Sequence, residues 1–238
     1  VLLLTSGVDV KSENLNLSHR SWLCVLLRVM HVICHLQSDL RLKYIPKIKR
    51  QTVDRFQAHI QQKDGDLFLG FESDKVPLAA FHKKEGKARD SVLLKLLHKQ
   101  SATTQEIYDH LGVRFVTKTR LDALRVIKYL IDHHLVSYPN ILSVRCRNTL
   151  VDGQEFKALF DKLRGDLPKL VTAEADLSFP EINSKANPFS SEHFHSIQFT
   201  ARQMIRIPVV RKGGLKREIS FFFPMEIQIL DEASFAAS

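Results

Sequence analysis

Apolar residues recur at helical spacing over residues 14–38. Leu23, Leu26, Leu27, Met30, Ile33 and Cys34 fall on one stripe, which predicts a buried core helix opening after Ser18. The stretch that follows, Arg41 to Arg55, carries Arg41, Lys43, Lys47, Lys49, Arg50 and Arg55 against the single acid Asp54 and is expected to be a solvated face. Lys63-Asp64-Gly65-Asp66 is a turn signal, and a soft boundary is placed there: a helical N-terminal lobe over 1–65 and a second domain over 66–238. Ala88 to Gln100 predicts an amphipathic helix with Val92, Leu93, Leu96 and Leu97 inward. On its other side Lys87, Ser91, Lys95 and Lys99 recur every fourth position and stack into a cationic stripe. Thr103-x-x-Glu106 has the form of a capping box for a short helix 104–111 closed by Gly112. Val113 to Thr117 then predicts a strand, and Thr119 caps a helix with Leu121, Leu124, Ile127, Leu130 and Ile131 as its core face.

Further on, Ile141 to Cys146 predicts a strand, Glu155 to Leu163 a helix, and Ala173 to Ser191 an irregular loop. The tail switches to period two. Ile197, Phe199, Ala201, Ile205, Ile207 and Val209 face one way, and Gln198, Thr200, Arg202 and Arg206 the other. The alternation returns in Ile219, Phe221, Phe223, Met225, Ile227 and Ile229, opposite Glu226 and Gln228, after a connection containing Gly213-Gly214. Parity restricts the hairpin. A two-residue turn would set the apolar face of one strand against the polar face of the other, so an odd loop is required. A three-residue loop pairs Arg202 with Glu226, and a five-residue loop pairs Thr200 with Glu226; either leaves Glu226 on the polar face. These elements make an α+β protein with a mixed or antiparallel sheet from residues 113–117, 141–146, 196–209 and 218–230, backed by helices, with an N-terminal helical lobe.

Composition narrows the class. The 238 residues are 44% hydrophobic and 26% charged, inside the globular range, and suit one large domain or one domain with an added lobe. Thirty-five Lys and Arg against 26 Asp and Glu give +9, a field that favours polyanions such as nucleotides, nucleic acid or anionic lipid. Cys24, Cys34 and Cys146 form no CxxC pair, which points to a reducing, cytoplasmic setting. Val1 to Leu4 is too short for a secretory leader, and Trp22 to Leu36, broken by Arg28, His31 and His35, falls short of the ~20 residues of a membrane span.

Two carboxylates stand out in this basic chain: Asp109 at a helix end before a strand, and Glu226 inside an apolar strand. Such a pair can share a divalent cation, and one member can draw a proton from a hydroxyl. Their company gives the order KARDSVLLK (87–95), EIYDHLGVRFV (106–116), HFHSIQ (193–198) and MEIQIL (225–230). In this order the chain resembles the synthetase domain of the RelA/SpoT family of nucleotide pyrophosphokinases, over about residues 80–232. The resemblance implies a nucleotidyltransferase-like fold. It also implies magnesium-dependent transfer of the β,γ-pyrophosphate of ATP to the 3′-hydroxyl of a guanine nucleotide or a related acceptor such as tRNA. Asp109 and Glu226 would hold magnesium and serve catalysis, with Glu226 activating the hydroxyl. Lys87, Lys95 and Arg114 would neutralise the triphosphate, Ser91 would donate to it, and Phe194 would stack on the acceptor base. Ser196, Gln198 and Arg202 complete the implied nucleotide-binding set. The chain departs from the family where His193, Phe194, Gln198 and Leu230 replace Gly, Tyr, His and Arg; Phe194 keeps an aromatic face without the phenol.

Other readings stand beside this one. The resemblance also admits a degenerate relative that binds nucleotide or RNA without catalysis. Residues 104–136 can be read as a helix-turn-helix carrying Lys118, Arg120, Arg125 and Lys128, although VRFVT is a better strand than turn. His31 and His35 have the i,i+4 spacing of helical metal ligands, yet their neighbours are apolar and core or interface histidines are expected. No membrane association is expected, and a homo-oligomer is compatible with the sequence. Gly-rich P-loop, nucleophile-elbow and zinc-finger spacings are absent from the sequence.

Overall fold

A computed structural model describes residues 17–38, 44–71, 74–84, 111–164, 166–173, 179–180, 194–210 and 216–237. They belong to two compact units, divided at Ile45/Pro46. The first contains helix α1 (Leu17–Ser38). Its stripe is not the buried core expected of it: Leu23, Leu26, Met30 and Ile33 are exposed, while Val32 is buried. Apolar side chains surround this helix, Trp22 and Val25 included, so periodicity alone could not select its inward face. Among the described residues no helix is long and apolar enough to cross a membrane.

The second unit begins with helices α2 (Ile45–Gln51) and α3 (Val53–Gln57). Ile48, Val53 and Phe56 turn fully inward, while Lys47, Arg50 and Arg55 remain exposed. Strands β1 (Ile60–Lys63), β2 (Asp66–Leu69) and β3 (Val76–Lys84) follow as an antiparallel meander. Asp64 and Gly65, at φ 53° and 87°, make the β1–β2 turn, so the position chosen as a soft boundary lies inside a hairpin. Strand β4 (Gly112–Thr117) pairs antiparallel with β3 and parallel with β7 (Lys216–Asp231); β7 pairs antiparallel with β6 (Ile197–Val210), and the two-residue β5 (Arg147–Asn148) closes the edge. The result is one mixed seven-stranded sheet in the order β1-β2-β3-β4-β7-β6-β5.

Paired residues share a face, so the register sorts the side chains. One cross-strand row is Phe81, Phe115, Ile229 and Ile197, and the next is Lys83, Val113, Ile227 and Phe199. Phe56 of α3 lies 6.4 Å from Phe115, which has no solvent exposure; burying such a ring is worth about 2–3 kcal/mol. Helix α4 (Arg120–Asp132) follows β4, and Thr119 caps it, its hydroxyl accepting from the Asp122 amide at 3.0 Å. Its inward face comprises Leu121, Ala123, Val126, Tyr129 and Leu130, with the expected Leu124, Ile127 and Ile131 only half-buried.

The strand expected at 141–146 does not form. Ile141 makes a single bridge to Ala201, after which residues 143–145 turn as a 3₁₀ helix, with Arg145 N–H donating to Leu142 O, and Val144 is left 89% exposed. Helix α5 (Gly153–Lys162) starts two residues earlier than expected because Asp152 accepts from the Gln154 and Glu155 amides. Helix α6 spans Leu167–Ala173, and α7 (Glu232–Ala236) ends β7, capped by Asp231 through the Ser234 amide. The helices expected over 88–100 and 104–111 lie outside the described residues except for Leu111.

The hairpin has odd parity. Thr200 stands opposite Glu226, as a five-residue loop requires. Its free edges are guarded. Gln51 of α2 bonds both the N–H and the C=O of Arg206 at 3.0 and 2.7 Å, so even positions of β6 point away from β7, and Pro208 occupies one of them. On β7, Glu226 N–H donates outward to Leu111 O, and Pro224, two residues earlier, presents no donor there.

Beside α4, Tyr129 stacks on His133 at 4.0 Å and its hydroxyl lies 2.8 Å from His59 Nδ1. Burial, then the electrostatic influence of His133 and Arg55, holds His59 below the usual imidazole value. The unfolded chain takes up a proton near pH 6.5, whereas the folded site does so only at lower pH. His59 therefore contributes stability that is present above pH 6.5 and is lost as pH falls below it. Urea midpoints of wild type and His59→Gln measured from pH 7.5 to 5 are expected to converge as the pH falls; a constant difference would refute the assignment.

Candidate functional site

The opposite face of the sheet is polar at its centre. Its rows are Lys84, Gly112, Glu226 and Thr200, then His82, Arg114, Gln228, Gln198 and Arg147. β4 and β7 approach most closely at Gly112. A Cβ there would sit 2.8 Å from Glu226 O and 3.4 Å from Glu226 Cβ. Gly112 opens β4 and lets the Glu226 strand pack against it.

Glu226 is held on both oxygens. Lys84 Nζ lies 2.6 Å from Oε2, and the Gln198 amide donates to Oε1. The carboxylate side chain is 20% exposed and the lysine 38%, so the pair is half-screened by the protein. Arg114 Nε donates to Gln228 Oε1 at 2.8 Å, and its guanidinium lies 5.8 Å from the Phe235 ring of α7, on which His82 stacks at 5.1 Å. His82, Lys83, Lys84, Gly112, Val113, Arg114, Glu226 and Gln228 line a pocket of about 270 Å³. Lys83 turns to the other face and donates to Gln57. The charged side chains on this face are the Glu226 carboxylate, the Lys84 ammonium and the Arg114 guanidinium, a suitable lining for a phosphorylated ligand. A larger pocket, about 600 Å³ and mostly apolar, lies between Ile127, Leu130 and Ile131 of α4 and Ile197 and Phe199 of β6.

Comparison with known proteins adds similarity at low identity. No protein-family model matches the chain, and no curated protein does. Among solved structures it is similar to small alarmone synthetase 2 from Bacillus subtilis, at 16% identity over 67% of this chain and 58% of that one, with a TM-score of 0.33. It is similar to small alarmone synthetase 1 from Bacillus subtilis bound to its product pppGpp, at 13% identity over 87% and 76% of the two chains (TM-score 0.35). A GTP pyrophosphokinase family protein from Streptococcus pneumoniae gives 13% identity over 91% and 72% (TM-score 0.34).

Of the residues singled out from sequence, Arg114, Gln198 and Glu226 come together on the polar face. Lys87, Ser91, Lys95 and Asp109 lie outside the described residues. Phe194 is half-buried. Ser196 is only 2% exposed, and its backbone N–H and C=O both bond Thr149, so its hydroxyl is shielded from a ligand. Arg202 stands opposite Pro224, not Glu226, with its guanidinium 5.8 Å from the Phe222 ring. His195 stacks on Phe179 at 3.9 Å, with Nδ1 2.8 Å from Thr149 O. His31 and Cys34 are exposed. The helix-turn-helix reading fails because residues 112–117 form an interior strand paired on both sides.

Sequence reasoning missed Lys84, His82 and Gln228 as site residues. A signal existed for the first two: in Ala80-Phe81-His82-Lys83-Lys84 the polar positions 82 and 84 alternate with Phe81. The preceding Pro77 and short apolar run concealed the strand.

Proposed function

We propose that the polar pocket transfers pyrophosphate from ATP to the 3′-hydroxyl of a guanine nucleotide or a related acceptor such as the end of tRNA. The supporting observation is the convergence of Glu226 with Lys84 and Arg114 over Gly112, in a pocket of phosphate-binding character. In this chemistry the acceptor oxygen attacks the β-phosphorus, the bond to the α-phosphate oxygen breaks, and adenylate leaves. Glu226 takes the hydroxyl proton. Lys84, able to leave the carboxylate because its side chain is 38% exposed, moves to a phosphate oxygen, and Arg114 balances charge on the migrating group. Gln198 then fixes the orientation of the carboxylate through Oε1.

Magnesium belongs to the proposal through Asp109 and Glu226. Among the described residues no cluster of three His, Cys, Asp or Glu side chains could hold a metal, and the pocket's own carboxylate is already paired. Among the described residues Glu226 alone does not complete a site for a hard divalent cation; Asp109 would supply the second carboxylate, and the steps above rest on the protein's own groups. The whole-chain test is incubation with γ-labelled ATP and a panel of GTP, GDP, ATP and tRNA, with and without excess chelator. Label is expected on an acceptor only when magnesium is present. Nucleotide binding without label would support the degenerate binding relative instead.

A further inference from the structure

We propose that the outer half of the β6–β7 ribbon is a platform for single-stranded nucleic acid. On the face that carries Glu226, successive cross-strand pairs beyond Thr200 and Glu226 are Arg202 with Pro224, Met204 with Phe222, Arg206 with Ser220, and Pro208 with Glu218. Phe222 is 44% and Met204 49% exposed, and both arginines are exposed. Phe222 and Met204 stand directly opposite each other and form one small apolar patch between the two guanidinium groups. Among the described residues neither Arg202 nor Arg206 has a carboxylate partner, and Arg202 lies against the Phe222 ring at 5.8 Å. The acid of this stretch, Glu218, accepts from the Ser220 hydroxyl at 3.4 Å.

The occupant follows from that chemistry. An exposed ring flanked by unpaired cations matches an unstacked base with a phosphate on either side, whereas duplex bases are stacked within the helix and cannot reach Phe222. The stripe from Glu226 to Ser220 runs six residues, about 20 Å at ~3.3 Å per residue, room for several nucleotides. The chain's +9 charge is complementary to such a strand. Binding here stands apart from transfer chemistry; only the direction, with the strand's end at Glu226, rests on the proposed function.

The test is fluorescence anisotropy of the full chain with labelled single-stranded RNA and DNA 12-mers and a 12-base-pair duplex over a range of salt. Single strands of either sugar are expected to bind more tightly than the duplex. Arg202→Ala and Arg206→Ala should each reduce the salt slope of log K by about 0.7. Phe222→Ala should weaken binding roughly tenfold at fixed salt with the slope unchanged. Arg202→Lys keeps the charge and should keep the slope. These side chains are exposed, so circular dichroism should show folded variants. Glu226→Gln should retain binding, which separates failure of the platform from failure of the transfer reaction. Equal or tighter duplex binding, variants that bind as wild type, or self-association through Phe222 with no nucleic-acid affinity would overturn the proposal.

Discussion

Glu226→Gln is expected to lower pyrophosphate transfer by about 10²- to 10⁴-fold while changing stability by less than about 1 kcal/mol. The substitution keeps the shape of the side chain and its contact with Gln198 but removes the charge and the proton acceptor. Lys84, 38% exposed, can be rehydrated when its partner is neutralised, so the structural cost is small. The activity loss, by contrast, follows from a hydroxyl left without a base. Lys84→Met distinguishes roles further. As a phosphate ligand, Lys84 should affect KM for ATP as well as kcat, whereas loss of Glu226 should act on kcat. If both variants lose stability yet transfer label at the wild-type rate, the ion pair is a strut between β3 and β7 and the catalytic proposal fails.

How much of this was legible depended on what surrounded each residue. Glu226 was conspicuous because MEIQIL sets a full charge on the polar side of an otherwise apolar strand, and the odd parity of the hairpin assigns its face. β4 was equally plain, since a run such as VRFVT has little use outside a sheet. The first three strands were not. IQQK and DLFL are four residues each, the first mostly polar and the second mostly apolar, and held by their Asp64-Gly65 turn and their neighbours more than by intrinsic preference. Missing β3 meant missing Lys84, because a lysine in an unassigned segment has no face. The 141–146 strand failed for the converse reason: its apolar residues suited a strand, but local 3₁₀ hydrogen bonds at 143–145 carried the backbone away from the ladder. The partner of Glu226 stayed open between Arg202 and Thr200 because the two loop lengths differ by a two-residue shift that no side-chain pattern resolves; the register selects Thr200.

Gly112→Ala is expected to be the most damaging single-atom addition near the site. The new Cβ would meet a backbone carbonyl at 2.8 Å, and a carbonyl within a paired interior strand cannot swing aside as a side chain can. Relief requires β4 and β7 to separate at the point where Glu226 N–H bonds Leu111 O at 3.1 Å. Overpacking of this kind costs about 1–3 kcal/mol, which for a chain of this size lowers the melting temperature by roughly 2–12 °C. Because the displaced atoms are Glu226's own backbone, the carboxylate moves with them, and transfer should fall more than stability alone explains. Gly153→Ala provides the control. No atom lies within 4 Å of a Cβ at that position, the first of α5, so the same chemical change should be neutral or stabilising by about 0.4–1 kcal/mol. Thermal melts of both variants, read beside the labelled-ATP assay, test the close approach directly. A Gly112→Ala protein with wild-type melting and wild-type transfer would mean that β4 and β7 do not meet as described, and the pocket built on their contact would fall with it.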